Sequence, residues 1–246
     1  MEVKPFIFDQ LFRLNQNLVL PESVRPGEIP LLVIEDVLQD PQGVRETIGR
    51  TPATNWGYPE GTRNFVDYYD CRLRFPVSPP VGLIALAQHA IQARYKVLTE
   101  PQETAIDVNW LIQIGAKPAN YACPHHDALV PGKRIFTCLL YLNSPGECSG
   151  GTAFFRFRKT QSLVADDAFK AALKLDERIQ ENRLDYWPRH ADVYWENLGA
   201  IAMVTGRMLI FPAQYFHGAY HPEDSFFEFP RLTLVFWMWA DAAGLP

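Results

Sequence analysis

Hydrophobic and polar positions follow two different rhythms along the chain. Up to residue 104 the pattern is that of a mixed α/β lead-in. IPLLVIEDVL (29–38) is a β-branched run suited to a buried strand. In the following DPQGVRETIGR, Asp40 can act as an N-cap and Pro41 can take the first helical position. PVGLIALAQHAIQARYKVL (80–98) sets Leu83, Leu86, Ala87, Ala90, Ile91 and Tyr95 at helical spacing. This predicts an amphipathic helix of about 17 residues, with His89 off the apolar stripe and solvated.

From residue 105 the texture changes to short runs rich in β-branched and aromatic residues, divided by Pro, Gly and Asn. AIDVNWLIQIGA, IFTCLLYLN, GGTAFFRF, IAMVTGRMLIFP and RLTLVFWMWA predict the strands of a sandwich, jelly roll or barrel. One stretch breaks the series: DDAFKAALKLDERIQENRLDYW (166–187) has helical composition with alternating charge, and is expected to cover one mouth of the barrel. No Pro/Gly/Ser-rich linker separates the halves. The expected fold class is therefore mainly β with flanking helices (α+β), a single domain over 1–246. Within it, 1–104 is the lead-in, 105–240 the β-core and 160–198 an insertion that can serve as a lid.

Composition narrows the classes of function. Of 246 residues, 48% are hydrophobic and 21% charged, the balance of a globular protein. A net charge of −5 provides no general basic field, so no nucleic-acid partner is expected. The start, MEVKPFIFDQLFRLNQ, lacks the apolar core of a signal peptide, and no apolar run is long enough to span a bilayer. A cytoplasmic chain with no membrane attachment is the expectation. Cys71, Cys123, Cys138 and Cys148 show no CxxC spacing and read as small buried apolar residues.

Candidate chemistry is concentrated in two places. In YACPHHDALVPG (121–132), period-two geometry puts His125 and Asp127 on one face and His126 on the other. Downstream, in GRMLIFPAQYFHGAYHPED, a strand runs into a Pro-containing turn followed by His217, with His221 as a competing candidate. Asp127 alone would also suit a turn before ALVPG. With His217 it completes a set of two imidazoles and one carboxylate, the facial triad of non-haem Fe(II) oxygenases, which leaves three metal positions open. A structural zinc site would be closed and rich in thiolates. Arg231 opens the otherwise apolar RLTLVFWMW, where its charge is costly to bury unless it meets an anion. Pairing with Glu228 or Asp224 at the surface is the alternative.

The ordered set HHDALVPGKRIFTCLLYLN, GGTAFF, GRMLIFPAQYFHGAYHPED and RLTLVFW resembles the core of the Fe(II)/2-oxoglutarate-dependent dioxygenase superfamily, most of all its prolyl 4-hydroxylase-like branch, over roughly 105–240. The resemblance implies a double-stranded β-helix (jelly roll, cupin-like) with N-terminal helices outside it. It further implies Fe(II) at His125, Asp127 and His217, with 2-oxoglutarate and O2 as co-substrates. Arg231 would pair with the distal carboxylate of 2-oxoglutarate, Tyr141 would hydrogen-bond it, and Thr233 on the same strand face would add a contact. The implied reaction is hydroxylation of a peptide, amino acid or small molecule with release of succinate and CO2. Asp127 argues against halogenation, since the related halogenases lack that carboxylate.

Tyr121 stands one position further from the first histidine than the family's tyrosine, and the 160–198 insertion exceeds what the bare core needs. A cupin-like metal enzyme that does not use 2-oxoglutarate would leave Arg231 and Tyr141 without an anion to hold. A non-catalytic binding module would have no use for a full ligand set. Three features carry two readings each: Tyr141 as a core aromatic, His190 in YWPRHADVYW as lid or mouth closure, and the basic residues of FFRFRK as a solvated outer face or an anion patch.

Overall fold

Alternation along the two longest strands decides the layering. In Lys133–Tyr141, Phe136, Cys138 and Leu140 join one buried cluster while Leu139 and Tyr141 join another. Arg231–Asp241 repeats the division, with Leu232, Leu234, Phe236 and Met238 on the first side and Val235 on the second. A sheet buried on both faces needs a layer on each, and the chain supplies both.

The computed structural model describes residues 8–19, 22–50, 56–57, 71–75, 80–101, 106–111, 124–127, 130–175, 191–220 and 231–241. Its strands are β1 (Glu22–Val24), β2 (Leu31–Ile34), β3 (Trp56–Gly57), β4 (Cys71–Phe75), β5 (Glu100–Pro101), β6 (Ile106–Leu111), β7 (Lys133–Tyr141), β8 (Gly151–Phe157), β9 (Trp195–Ala202), β10 (Met208–Pro212), β11 (His217–Tyr220) and β12 (Arg231–Asp241). The helices are α1 (Phe8–Leu11), α2 (Pro41–Gly49), α3 (Val81–Tyr95), α4 (Asp167–Leu175) and α5 (Ala191–Tyr194).

A nine-stranded sheet runs β1-β2-β10-β7-β12-β6-β4-β3, with β5 also paired to β12, and a three-stranded sheet runs β11-β8-β9. Every strand pair in both is antiparallel. The chain leaves the large sheet after β7, makes β8 and β9 in the small one, returns for β10, crosses again for β11 and ends in β12. An isolated bridge from His125 to His217 adds a fourth position to the small sheet. This alternation between facing sheets is a double-stranded β-helix, the jelly roll of the sequence reading.

Helices cover the far side of the large sheet. Val44 and Ile48 of α2 and Leu83, Ala87, Ala90 and Ile91 of α3 pack on Phe136, Leu140, Leu234 and Phe236. The Asp40 carboxylate accepts from the Gly43 N–H, capping α2 as its sequence predicts. The helix at 81–95 has 15 residues rather than 17, because Lys96 turns into the left-handed region at φ 59°. His89 is exposed, as expected. The 29–38 run keeps a continuous ladder only over β2, since Asp36 takes φ 48° and Val37 N–H turns to the Gly206 carbonyl, and Leu38 then makes an isolated bridge to Leu14. The turn between β1 and β2 reaches the small sheet: a Cβ on Gly27 would lie 3.2 Å from Leu198.

An aromatic layer covers the outer face of the small sheet. Ala153, Phe155 and Phe157 form an apolar cluster there with Phe169, Trp195 and Phe216. The Phe169 ring of α4 lies 5.0 Å from Phe157 and 4.7 Å from Phe216. The described part of the insertion, α4, therefore covers this face, and residues 176–190, with His190, lie outside the described residues. In FFRFRK the same alternation puts Arg156 on the inner face with Phe154, whereas Arg158 and Lys159, past the end of the strand, are exposed.

Cys138 is buried and Cys148 half-buried, both free thiols, and burial pushes the Cys138 thiol well above its usual range. Cys71 lies in β4 and Cys123 outside the described residues. Among the described residues, no helix is long and apolar enough to cross a membrane.

Candidate metal centre

Backbone pairing holds the two histidines together. His125 N–H donates to the His217 carbonyl at 2.9 Å and His217 N–H to the His125 carbonyl at 2.8 Å, which brings residues ninety-two positions apart into direct register. Two residues on, Asp127 N–H donates to the Ala213 carbonyl at 3.1 Å, turning its carboxylate back toward the pair. The imidazole centroids are 4.5 Å apart, and one candidate ligand atom from each of His125, Asp127 and His217 lies within 4.8 Å of the others. Two imidazole nitrogens and a carboxylate oxygen at this separation fit a divalent cation of intermediate softness.

His217 is 5% exposed, its ring edge-on to Phe211 at 4.8 Å. Its Nδ1 lies 2.9 Å from the Tyr215 carbonyl. A carbonyl can only accept, so this bond puts the proton on Nδ1 and leaves the Nε2 lone pair facing Asp127 Oδ2, 3.7 Å away. Burial, only partly opposed by Asp127, depresses the His217 pKa to about 4. The ring is thus neutral, as a ligand must be, at physiological pH. His125 is exposed, so the cluster opens to solvent on that side.

Burial pushes the Asp127 pKa up, but the adjacent His217 and His125 and two hydrogen bonds outweigh it and hold the carboxyl below its ordinary value. Those bonds come from the Thr137 hydroxyl at 2.5 Å and Trp237 Nε1–H at 3.2 Å, both to Oδ2. Neither residue was picked out by sequence reasoning. The signal was present in the strand period, which places Thr137 four residues before Tyr141 and Trp237 six after Arg231, directly opposite one another in the ladder.

Arg231, Tyr141 and Thr233 come together at one end of the same interior face. Thr233 pairs with Tyr141 across β12 and β7, and all three are buried. Arg231 Nη2 donates to the Gly151 carbonyl at 3.1 Å and to Thr152 Oγ1 at 3.4 Å. The guanidinium carbon lies 5.6 Å from the Tyr141 ring centre, and the Tyr141 hydroxyl is 2.7 Å from Thr152 Oγ1. Gly151 is required by the close approach of β9: a Cβ there would sit 1.9 Å from the Ile201 carbonyl oxygen.

Arg231 is 4% exposed, and its Nε has no hydrogen-bond partner among the described residues. A buried cation with an unused donor is costly. A carboxylate accepting from the fork would satisfy it, so this end of the face fits an anion. Glu228 and Asp224, the alternative partners of Arg231, lie outside the described residues. His126 turns away, its Nδ1 2.8 Å from the Asp127 carbonyl oxygen and its ring 6.0 Å from Phe216. Tyr121 and His221 fall outside the described residues.

Fold and site together define a double-stranded β-helix with a His-Asp-His cluster and a buried arginine on one interior face. The chain belongs to the family of unknown function DUF6445, whose model matches residues 19–229. No curated protein matches it. Among solved structures it is similar to a prolyl 4-hydroxylase from Phytophthora capsici (15% identity, TM-score 0.39, 88% of this chain) and spans 60% of that protein's length. It is also similar to HygX from Streptomyces hygroscopicus, solved with nickel, 2-oxoglutarate and hygromycin B (14% identity, TM-score 0.43, 87% of this chain and 83% of that one). A third similar structure is EctD from S. alaskensis in its apoform (13% identity, TM-score 0.46, 93% and 84% covered).

Proposed function

We propose that the protein is an Fe(II)- and 2-oxoglutarate-dependent oxygenase that hydroxylates a peptide, amino acid or small molecule and releases succinate and CO2. The observation that carries this reading is the presence, on one interior face, of a two-histidine, one-carboxylate cluster and a buried arginine with an unsatisfied donor. His125, Asp127 and His217 would hold the iron, which would supply dioxygen activation and binding of the 2-oxo acid.

The chain's own groups do the rest. Arg231 offers the co-substrate's distal carboxylate a charged donor in a dry setting, where charge-assisted hydrogen bonds are strongest. Tyr141 is fully buried, and burial raises its pKa, opposed in part by Arg231, so its hydroxyl stays protonated and able to donate. Thr137 and Trp237 fix the Asp127 carboxylate, and the Tyr215 carbonyl fixes the His217 tautomer. Phe154, Phe211, Leu139 and Val235 form a buried apolar cluster on the same interior face.

Thermal unfolding of Mn(II)-loaded protein with and without 2-oxoglutarate tests the reading. A 2-oxoglutarate-dependent rise in Tm that requires the metal is expected. Metal binding with no response to 2-oxoglutarate would overturn it.

A further inference from the structure

The inner wall of the small sheet carries a charged pair that the proposed chemistry does not use. Along β8 the inner-face residues are Thr152, at the arginine end, then Phe154, paired with His217, then Arg156. Arg156 stands two residues, roughly 6.6 Å, beyond Phe154 on the side away from Arg231. Directly across the ladder is Glu196 of β9, in register with it. Their side chains are 23% and 38% exposed.

The geometry of this pair differs from that of the two other arginine–glutamate pairs that join distant segments; the exposed pair within α2 and its cap, Arg50–Glu46, is also single-pronged, at 3.1 Å. Arg45 grips Glu147 with Nε and Nη2, one to each oxygen, both at 3.0 Å. Arg207 holds Glu35 through Nε, at 3.0 Å to both oxygens, and through Nη2 at 2.7 Å. Arg156 makes a single contact, Nη1 to Glu196 Oε2 at 3.2 Å, and among the described residues this is its only side-chain hydrogen bond. Among the described residues, no other side chain takes up the rest of its donor fork or the second Glu196 oxygen. A half-exposed, one-pronged pair adds little stability, so stability does not account for placing two charges on a wall whose next inner residues, Phe154 and Leu198, are apolar.

We propose that Arg156 and Glu196 form the substrate-recognition end of the interior face that carries the metal cluster and select a small molecule bearing both a carboxylate and an ammonium group, of the free amino acid class. The Arg156 fork matches a carboxylate in two-pronged geometry, and Glu196 accepts from the ammonium. The pair then opens to admit the ligand's charges and stays electrically balanced when empty. His217 lies one strand over and two positions back, so a substrate anchored here presents its side chain to the cluster. This inference rests on the oxygenase reading and deepens it.

The test uses the full chain loaded with Mn(II) and saturated with 2-oxoglutarate. Tm is followed on adding each proteinogenic amino acid, its carboxamide and its N-acetyl derivative. At least one free amino acid is expected to raise Tm, with its carboxamide and N-acetyl forms weaker by on the order of tenfold or more. R156Q and E196Q should abolish that rise, while R156K keeps part of it. Both glutamine variants should retain the Tm of the unliganded protein and the full response to 2-oxoglutarate alone. The proposal is overturned if no free amino acid raises Tm in a protein that responds to 2-oxoglutarate, if carboxamides act as well as acids, or if R156Q responds like the parent. A protein that fails to respond to 2-oxoglutarate at all overturns this inference together with the oxygenase reading.

Discussion

Trp237 Nε1 donates to Asp127 Oδ2 across 3.2 Å, tying the middle of the last strand to a residue 110 positions earlier. Thr137 donates to the same oxygen from the neighbouring strand. One oxygen of the carboxylate is thus anchored to the large sheet, and the group is oriented before any cation arrives. Trp237→Phe keeps an aromatic ring, though a smaller one, and removes the donor. It should weaken Mn(II) binding roughly 10- to 100-fold. Isothermal titration calorimetry measures this, and an unchanged Kd would show that the contact does not orient the ligand.

Arg231 should act on the co-substrate and not on the cation. Arg231→Leu is expected to raise the KM for 2-oxoglutarate on the order of 100-fold while Mn(II) affinity stays near that of the parent. Steady-state kinetics beside calorimetry separates the two effects. If both constants move together, Arg231 is a structural group.

Acid should destabilise the metal-free protein through His217. The unfolded imidazole titrates near 6.5 and the buried one at about 4, so between these values the unfolded chain binds the extra proton. The contribution of His217 to stability is complete above pH 6.5 and is lost as pH falls toward 4. Asp127, also held below its ordinary value, extends the loss to lower pH. Urea midpoints measured from pH 7 to 4 should fall more steeply for the parent than for H217Q. Parallel curves would contradict the assignment of a buried neutral ring.

The helix at 167–175 is a cover for the small sheet, with Phe169 7% exposed against Phe157, Trp195 and Phe216. Phe169→Ala should cost about 3–5 kcal/mol of stability, the usual range for such a cavity. Mn(II) affinity measured well below the new Tm should be unchanged. A stable variant with altered metal binding would place this helix at the cavity mouth instead.

The sequence was most legible where a local rule and the tertiary outcome agree. Period-two spacing put His125 with Asp127 and turned His126 away, because strand pairing with His217 enforces that alternation. The Asp40 cap and the α3 stripe were readable for the same reason, being decided within one or two turns of chain. Long-range partners were not. Nothing near Thr137 announces that its hydroxyl meets Asp127, and Trp237 reads as one more apolar residue until the register of β7 and β12 is known. The face taken by Arg156 stayed open in the sequence because alternation alone leaves two choices. The cover of Phe169, Trp195 and Phe216 on the opposite face decides between them.

The central claim is that His125, Asp127 and His217 hold iron for a reaction that consumes 2-oxoglutarate. Succinate formed from 2-oxoglutarate by the Fe(II)-loaded chain under air, measured for the parent, D127A and H217A, tests it most directly. The account predicts metal-dependent succinate formation by the parent, even as an uncoupled background, and its loss in both variants while they stay folded. Succinate formation that persists in either folded variant, or a metal-loaded parent that forms none, would contradict it.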